Sequence, residues 1–353
     1  AKAYKNTTNL KQIRLNGSED DPAGSRRSFE VETTGFDVFN TSRFDFGTTK
    51  VALTYGADAF EDEVVTSGYG TELTPSGKRT VAGAFVQSKA TFFDTLDIIA
   101  ALRYDRYELE GGSVESDGDH VSPKITAGWT PFDGITLFAT YAEGYRAPAI
   151  TETLIEGVHS PPATFPLLPN PDLKPEVAHN VEFGVNLRRD NVLSPQDSFR
   201  AKLVAFRNKV DDYIDAVYLF DPTSPLGFAL QYQNIAEATI EGVEFEAMYD
   251  ARRWFIGIGA HRIRGDNEES GDPLTTIPAD QLTLTVGFRA FDEKLVAGAR
   301  TRFVAGQDRV PDPDLATNGY TVVDLFGEYQ LNDNATINVN IDNLFDKEYR
   351  QYL

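Results

Sequence analysis

Gln281-Leu282-Thr283-Leu284-Thr285-Val286-Gly287-Phe288-Arg289-Ala290 decides the fold class of this 353-residue chain. Leu282, Leu284, Val286, Phe288 and Ala290 fall on one side of an extended chain, and Thr283, Thr285, Gly287 and Arg289 on the other. A period of two is the pattern of a strand with one apolar and one polar face. Residues 135–141 and 336–341 repeat it. No stretch has convincing helical periodicity with caps, and no apolar run approaches the ~18 residues of a spanning helix.

The connections between such stretches alternate in length. Short ones lie at 45–47, 93–94, 131–134, 250–252, 292–293 and 332–334, with a longer turn on the same side at 189–197. Long ones lie near 15–27, 62–78, 111–118, 148–173, 217–228, 265–277 and 306–316. Tight turns on one side and extended loops on the other are the signature of an up-and-down antiparallel transmembrane β-barrel. About fifteen strands fit, each near the ~9–11 residues that cross a bilayer at a tilt. Phe92, Phe93, Trp129, Phe132, Trp254, Phe255 and Phe291 collect at the short-turn ends. Tyr104, Tyr107, Tyr141, Tyr145 and Tyr213 collect toward the long loops. Two aromatic belts at the membrane interfaces are expected from this division.

Net charge is −21, from 54 acids and 33 bases, which argues against a nucleic-acid partner because phosphate neutralisation needs basic surface. Acids cluster at Glu19-Asp20-Asp21, Glu61-Asp62-Glu63 and 266–269, in or beside the long loops. A solvated face explains them, and a rim meeting divalent cations in an outer lipopolysaccharide layer is the sharper alternative. Cysteine is absent, so disulfides and thiolate metal sites are excluded. There is no nucleophile–base pair, phosphate loop or metal-binding cluster to support an enzyme.

The longest connection carries the candidate site. Tyr145-Arg146-Ala147-Pro148 is followed by 21 residues and then Asn170-Pro171-Asp172-Leu173, and His159 is the eleventh of the 21. A neutral imidazole nitrogen is a natural axial ligand for haem iron. Pro148, Pro161, Pro162, Pro166, Pro169 and Pro171 would stiffen the loop. Val158, Phe165, Leu167 and Leu168 could pack on a porphyrin face. Arg146 is expected to anchor the loop base through an acid, with contact to a haem propionate as the alternative. His120, His179 and His261 read as polar lumen or rim residues.

Four further motifs run in order through the second half: 173–176 leading into strand 181–185, 206–214, 234–244 and 340–349. Together they resemble TonB-dependent outer-membrane receptors. The boxes at 145–148 and 170–173 resemble those bracketing the haem-ligand loop of haem and haemoglobin receptors, with Tyr145 and Asp172 where Phe and Asn are more usual. The resemblance implies a 22-stranded transporter in the bacterial outer membrane with a plugged lumen. Residues 1–353 would then be the barrel portion, lacking the N-terminal plug, the early strands and the closing strand. Sheet edges near 1–14 and 336–343 would be unpaired.

Haem, free or on haemoglobin or another carrier protein, would be the transported ligand, with no catalytic cofactor. Outer-membrane lipid and TonB, reached through the plug, would be the other partners. The candidate site is His159 as iron ligand with Tyr145, Arg146, Pro148, Asn170, Pro171, Asp172 and Leu173 around it. A receptor for a siderophore or another nutrient is the nearest rival. An outer-membrane barrel enzyme is a rival of another class.

Overall fold

The computed structural model describes residues 1–17, 22–73, 75–159, 164–311 and 313–352. Fifteen long strands form one antiparallel meander: β1 (Lys2–Ile13), β2 (Arg26–Asp45), β3 (Thr49–Gly68), β4 (Gly77–Phe92), β5 (Leu96–Gly111), β6 (Val114–Phe132), β7 (Ile135–Arg146), β10 (Glu176–Asp190), β11 (Ser198–Phe220), β12 (Phe228–Asp250), β13 (Trp254–Asn267), β14 (Gln281–Ala290), β15 (Leu295–Val304), β16 (Tyr320–Asn332) and β17 (Ala335–Ile341). Two short strands, β8 (Gly157–Val158) and β9 (Pro166–Leu168), and a one-turn helix, α1 (Ile150–Leu154), lie in the connection between β7 and β10. Each long strand pairs with its sequence neighbours, β7 pairing with β10 across that connection. Among the described residues β1 is registered only against β2, and β17 only against β16, so the sheet is open at both edges.

Alternation assigns the faces. Leu282, Val286 and Phe288 are 42%, 44% and 49% exposed, whereas Gly287 on the opposite face is buried. Thr283 and Arg289 share the Gly287 face. Trp129, Leu137, Phe183, Leu203 and Val243 continue the exposed apolar face on neighbouring strands. In a bilayer that surface meets lipid and the opposite one faces the lumen.

The lumen face carries a regular device. At seven glycines an aromatic ring stands directly opposite on the adjacent strand: Tyr4 and Gly35, Phe85 and Gly56, Tyr107 and Gly118, Phe138 and Gly184, Phe206 and Gly242, Phe255 and Gly287, Phe326 and Gly298. In each pair the ring lies where a glycine Cβ would be. The rings thus cover backbone that glycine would otherwise leave bare.

Short turns follow from positive backbone angles. Phe93 and Asp94 (φ 52° and 54°), and Phe291 and Asp292 (both 54°), adopt the left-handed conformation that a tight primed hairpin turn demands. Phe93, Trp129, Phe132, Trp254 and Phe291 are exposed, as a belt requires, but Phe255 is buried and faces the lumen. Tyr107 also departs from the expected belt: it is buried beneath the long loop.

Several expected loops are strand. Residues 111–118 form a hairpin whose turn is only 112–113, with Val114 opposite Gly111. Glu61-Asp62-Glu63 lie within β3 and face Thr80, Arg79 and Lys78, so two of those acids are spent on cross-strand ion pairs, Glu61–Lys78 at 2.8 Å and Asp62–Arg79 at 3.0 Å. Asp266 and Asn267 end β13. The cluster at 19–21 lies outside the described residues.

The 191–197 turn is organised by Asp197, which is 2% exposed. Its carboxylate accepts the Tyr249 hydroxyl at 2.6 Å and the N–H groups of Val192, Leu193 and Ser194 at 2.5, 2.8 and 2.7 Å. Burial works to raise the pKa, but the Tyr249 hydroxyl and these N–H groups outweigh it and hold the carboxyl well below the usual carboxylate range. A depressed folded pKa contributes stability above the ordinary carboxylate range of ~4 and loses it as pH falls toward the folded value. Asp197→Asn should therefore speed amide exchange across 191–197 at neutral pH, with the difference from the native turn shrinking in strong acid. A difference independent of pH would contradict this account.

The glycine–aromatic pairs make a second prediction. A Cβ at Gly298 would meet the Phe326 ring at 2.5 Å and the Val286 carbonyl oxygen closer still. Gly298→Val should destabilise the barrel by about 1–3 kcal/mol, the usual cost of overpacking. Denaturant unfolding in lipid vesicles is the check, and unchanged stability would show that the wall yields.

Candidate functional site

The long loop is a tied structure rooted in one ion-pair knot. Arg146 ends β7 and stands opposite Glu176, which opens β10. Arg146 Nε and Nη2 donate to the two Glu176 oxygens at 2.6 Å each, and Nη1 donates to Glu152 at 2.9 and 3.0 Å. Glu176 is 9% exposed and also accepts the Ile214 N–H at 2.8 Å. Glu152 reaches back to the Ala149 N–H at 2.8 Å, which starts α1. A bidentate guanidinium–carboxylate pair fixes direction as well as distance. Both ends of the loop and its helix are thereby held to β7, β10 and β11.

The second box is held from β12. Asn170 donates its side-chain amide to the Tyr232 carbonyl at 2.8 Å and its N–H to Thr153 at 3.0 Å, while its Oδ1 accepts the Asp172 N–H at 3.2 Å. Asn234 binds both backbone groups of Lys174, at 2.8 and 2.9 Å, and the Asp212 carbonyl at 2.6 Å. Asp212 has φ 53° and interrupts the regular backbone between Asp211 and Tyr213 without shifting the register against β12. The motifs at 173–176, 206–214 and 234–244 therefore meet at one place.

Pro148 and Leu173 are buried, and Tyr145 and Tyr107 pack with α1. Pro171 and Asp172 are exposed on the loop surface. Arg146 anchors the base through acids as expected. Its guanidinium is committed to two carboxylates, which leaves the propionate alternative without support.

His159 follows β8 at the tip of the β8–β9 hairpin and is exposed. Its N–H donates to the Phe165 carbonyl at 2.8 Å, and its ring lies on the Phe165 ring at 4.8 Å and 8°. Strand β9 pairs in parallel with β12, Leu167 beside Leu230. Pro161 and Pro162 lie outside the described residues. The expected porphyrin-facing set divides: Val158 is exposed, but Phe165 and Leu167 are buried as the hairpin's own core. Leu168 is half-buried.

The other histidines form no ligand cluster. His120 bonds Glu143 at 3.1 Å and stacks on Tyr145 at 5.7 Å. His179 lies between Tyr141 and Asp211, 3.2 Å from each. His261 bonds the Ala279 carbonyl at 3.2 Å. Among the described residues no group of three or more His, Asp or Glu side chains converges to hold a metal ion.

Glu152, Glu176 and Asn234 were not singled out by sequence as holding the loop. The two glutamates were detectable as the acids flanking an isolated Arg146. Nor were Tyr218, Phe220 and Phe228, aromatic residues crowded into or beside the loop at 217–228.

A long-stranded antiparallel meander with tight turns on one side and longer connections on the other is the architecture of a transmembrane β-barrel. The chain belongs to the TonB dependent receptor-like, beta-barrel family, matched over residues 2–344. It is 27% identical over 350 residues to the heme/hemopexin utilization protein C of Haemophilus influenzae (strain 86-028NP), covering 93% of this chain and 49% of that protein. It is 29% identical over 314 residues to the hemin receptor of Yersinia enterocolitica, covering 84% and 46%. The solved Serratia marcescens hemophore receptor HasR, a double mutant in complex with its hemophore HasA and heme, superposes with a TM-score of 0.82 at 25% identity, over 99% of this chain and 60% of that one. The chain spans about half the length of the curated relatives it matches. Members of this family reside in the outer membrane.

If the knot governs the loop, loosening it should leave the barrel intact. Arg146→Ala leaves the buried Glu176 carboxylate without its cation, at a cost of about 1–3 kcal/mol, and Asn234→Ala removes three hydrogen bonds that tie Lys174 and Asp212 to β12. Protease cleavage within 147–175 should then accelerate roughly tenfold or more, with barrel unfolding unchanged. Equal cleavage rates would mean the loop is held elsewhere.

Proposed function

We propose that this chain is the barrel portion of a TonB-dependent receptor that captures haem at the cell surface, with His159 as an axial ligand to the iron. The supporting observation is the placement of His159. Its ring is exposed at the tip of a hairpin that the Arg146–Glu176 knot, the Asn234 clamp and the β9–β12 pairing all brace. A ligand on a braced tip is presented outward without cost to strand packing. Relatives whose names carry heme or hemin add support from sequence.

In this reading Tyr145, Arg146, Pro148, Asn170, Pro171, Asp172 and Leu173 frame the loop. A plug domain would supply a second ligand and the segment that engages TonB. Haem, free or delivered by a carrier protein, is cargo, and no chemistry is done on it.

His159→Ala in the complete receptor, combined with loss of the plug ligand, should weaken haem binding by about tenfold or more, the loss of roughly 1.4 kcal/mol. Soret spectra and haem-dependent growth are the readouts, and barrel assembly should be normal. Unchanged spectra and growth in that background would rule out the assignment and put the siderophore reading ahead.

A further inference from the structure

The β11–β12 hairpin ends in an aromatic crest beside His159. Tyr218 and Phe220 lie two residues apart on one face of β11, paired with Leu230 and Phe228 of β12. Tyr218 is 66% exposed and Phe220 is 84% exposed. The Phe165 ring joins them to the imidazole. It stacks on His159 at 4.8 Å, meets Tyr218 edge-on at 6.4 Å and packs on Phe228 at 5.1 Å. Phe165 is buried, so His159 and Tyr218 border the same covered ring.

Lipid does not account for this exposure. The lipid-directed face of β11 and β12 passes through Leu203 and Val243 and then turns charged at Arg207, Lys209, Glu237 and Glu241. Tyr218 and Phe220 lie beyond that charged belt and past Asp212, where the backbone turns left-handed. From Leu203 to Phe220 the strand runs roughly 56 Å at ~3.3 Å per residue, well past the hydrocarbon layer. Exposed aromatic rings in that position, contiguous with an imidazole, suit a flat conjugated ligand.

We infer that Tyr218 and Phe220 form a platform for the face of a porphyrin macrocycle whose iron is offered to His159. A macrocycle ligated at its centre by His159 extends sideways past the imidazole, and Tyr218 borders the ring on which that imidazole stacks. Ring-to-ring contact then supplies binding that needs no metal. This inference rests on the proposed haem-capture function, but a metal-free ligand separates the two.

The test compares haem with metal-free protoporphyrin IX, which has the same macrocycle and no iron to ligate, on the complete receptor. The double variant Tyr218→Ala/Phe220→Ala should lose about tenfold in affinity for both ligands. Phe220→Trp should retain the native affinity, and the heat-resistant barrel should persist throughout. In a background without the plug ligand, His159→Ala should weaken haem binding and leave protoporphyrin IX unchanged. Unaltered protoporphyrin IX binding by the double variant would overturn the platform, as would its absence in the native receptor. If the double variant loses only capture from a haem-carrying protein, the crest docks protein and the inference is wrong. Loss of both ligands by the double variant, with no effect of His159→Ala, would support the platform and reject the axial ligand.

Discussion

A chain crossing a bilayer must satisfy every backbone N–H and carbonyl within itself, because lipid offers no partner. That constraint sets the rest of this structure. Each long strand is bonded to its neighbours along most of its length, and the side chains alternate between lipid and lumen as a consequence. Apolar residues on one face and threonine, arginine or glycine on the other are then required rather than merely tolerated. The glycines do not leave holes, because an aromatic ring from the next strand covers seven of them. Wall thickness is kept low where glycine stands, and the ring restores the packing that a side chain would have given.

Beyond the membrane the same strands continue, and there the constraint changes. Water can satisfy exposed backbone, so order in the loops must come from specific contacts. The β7–β10 connection obtains it from a small set of polar groups. Arg146 faces two carboxylates, one of which also accepts an N–H from β11. Asn234 imitates a strand neighbour for Lys174, accepting from its N–H and donating to its carbonyl. Removing Arg146 would leave the buried Glu176 carboxylate without its cation, and removing Asn234 would break three bonds at once, which is why these residues form a unit. Four short motifs scattered through the chain are therefore legible together: three of them meet at this knot. The fourth makes a separate turn in which Asn343 bonds Lys347 twice.

The strand alternation was legible because period two survives wherever one face is buried, as in Gln281–Ala290. Loop lengths were less so. Polar residues 111–118 look like a loop, yet cross-strand pairing around a two-residue turn makes them strand. Polarity there reflects distance from lipid, not irregular backbone. Helix α1 is a single turn held by Glu152 and tertiary packing, too short for any periodicity to show. Phe165 and Leu167 could be read as ligand-facing because sequence shows that residues are apolar but not which side they turn. The parallel pairing of β9 with β12 turns these two inward, a contact between residues over 60 positions apart that no local pattern encodes. His159 was legible only through the spacing of its flanking boxes, since an isolated histidine carries no such information.

The proposed function places two opposing demands on one imidazole, and the loop addresses both. Capture favours a ring held in a defined orientation, since ordering a free side chain on binding costs entropy. Delivery favours a ligand that lets go, so the site should not enclose its cargo. Stacking His159 on buried Phe165 meets the first demand, because the partner ring is fixed by the hairpin core. Exposure of His159 meets the second, because a ring open to solvent can release what it holds. Rigidity is thus placed beneath the ring and openness above it. The knot at Arg146 lies at the far end of the same loop, where it can hold this geometry without touching the cargo.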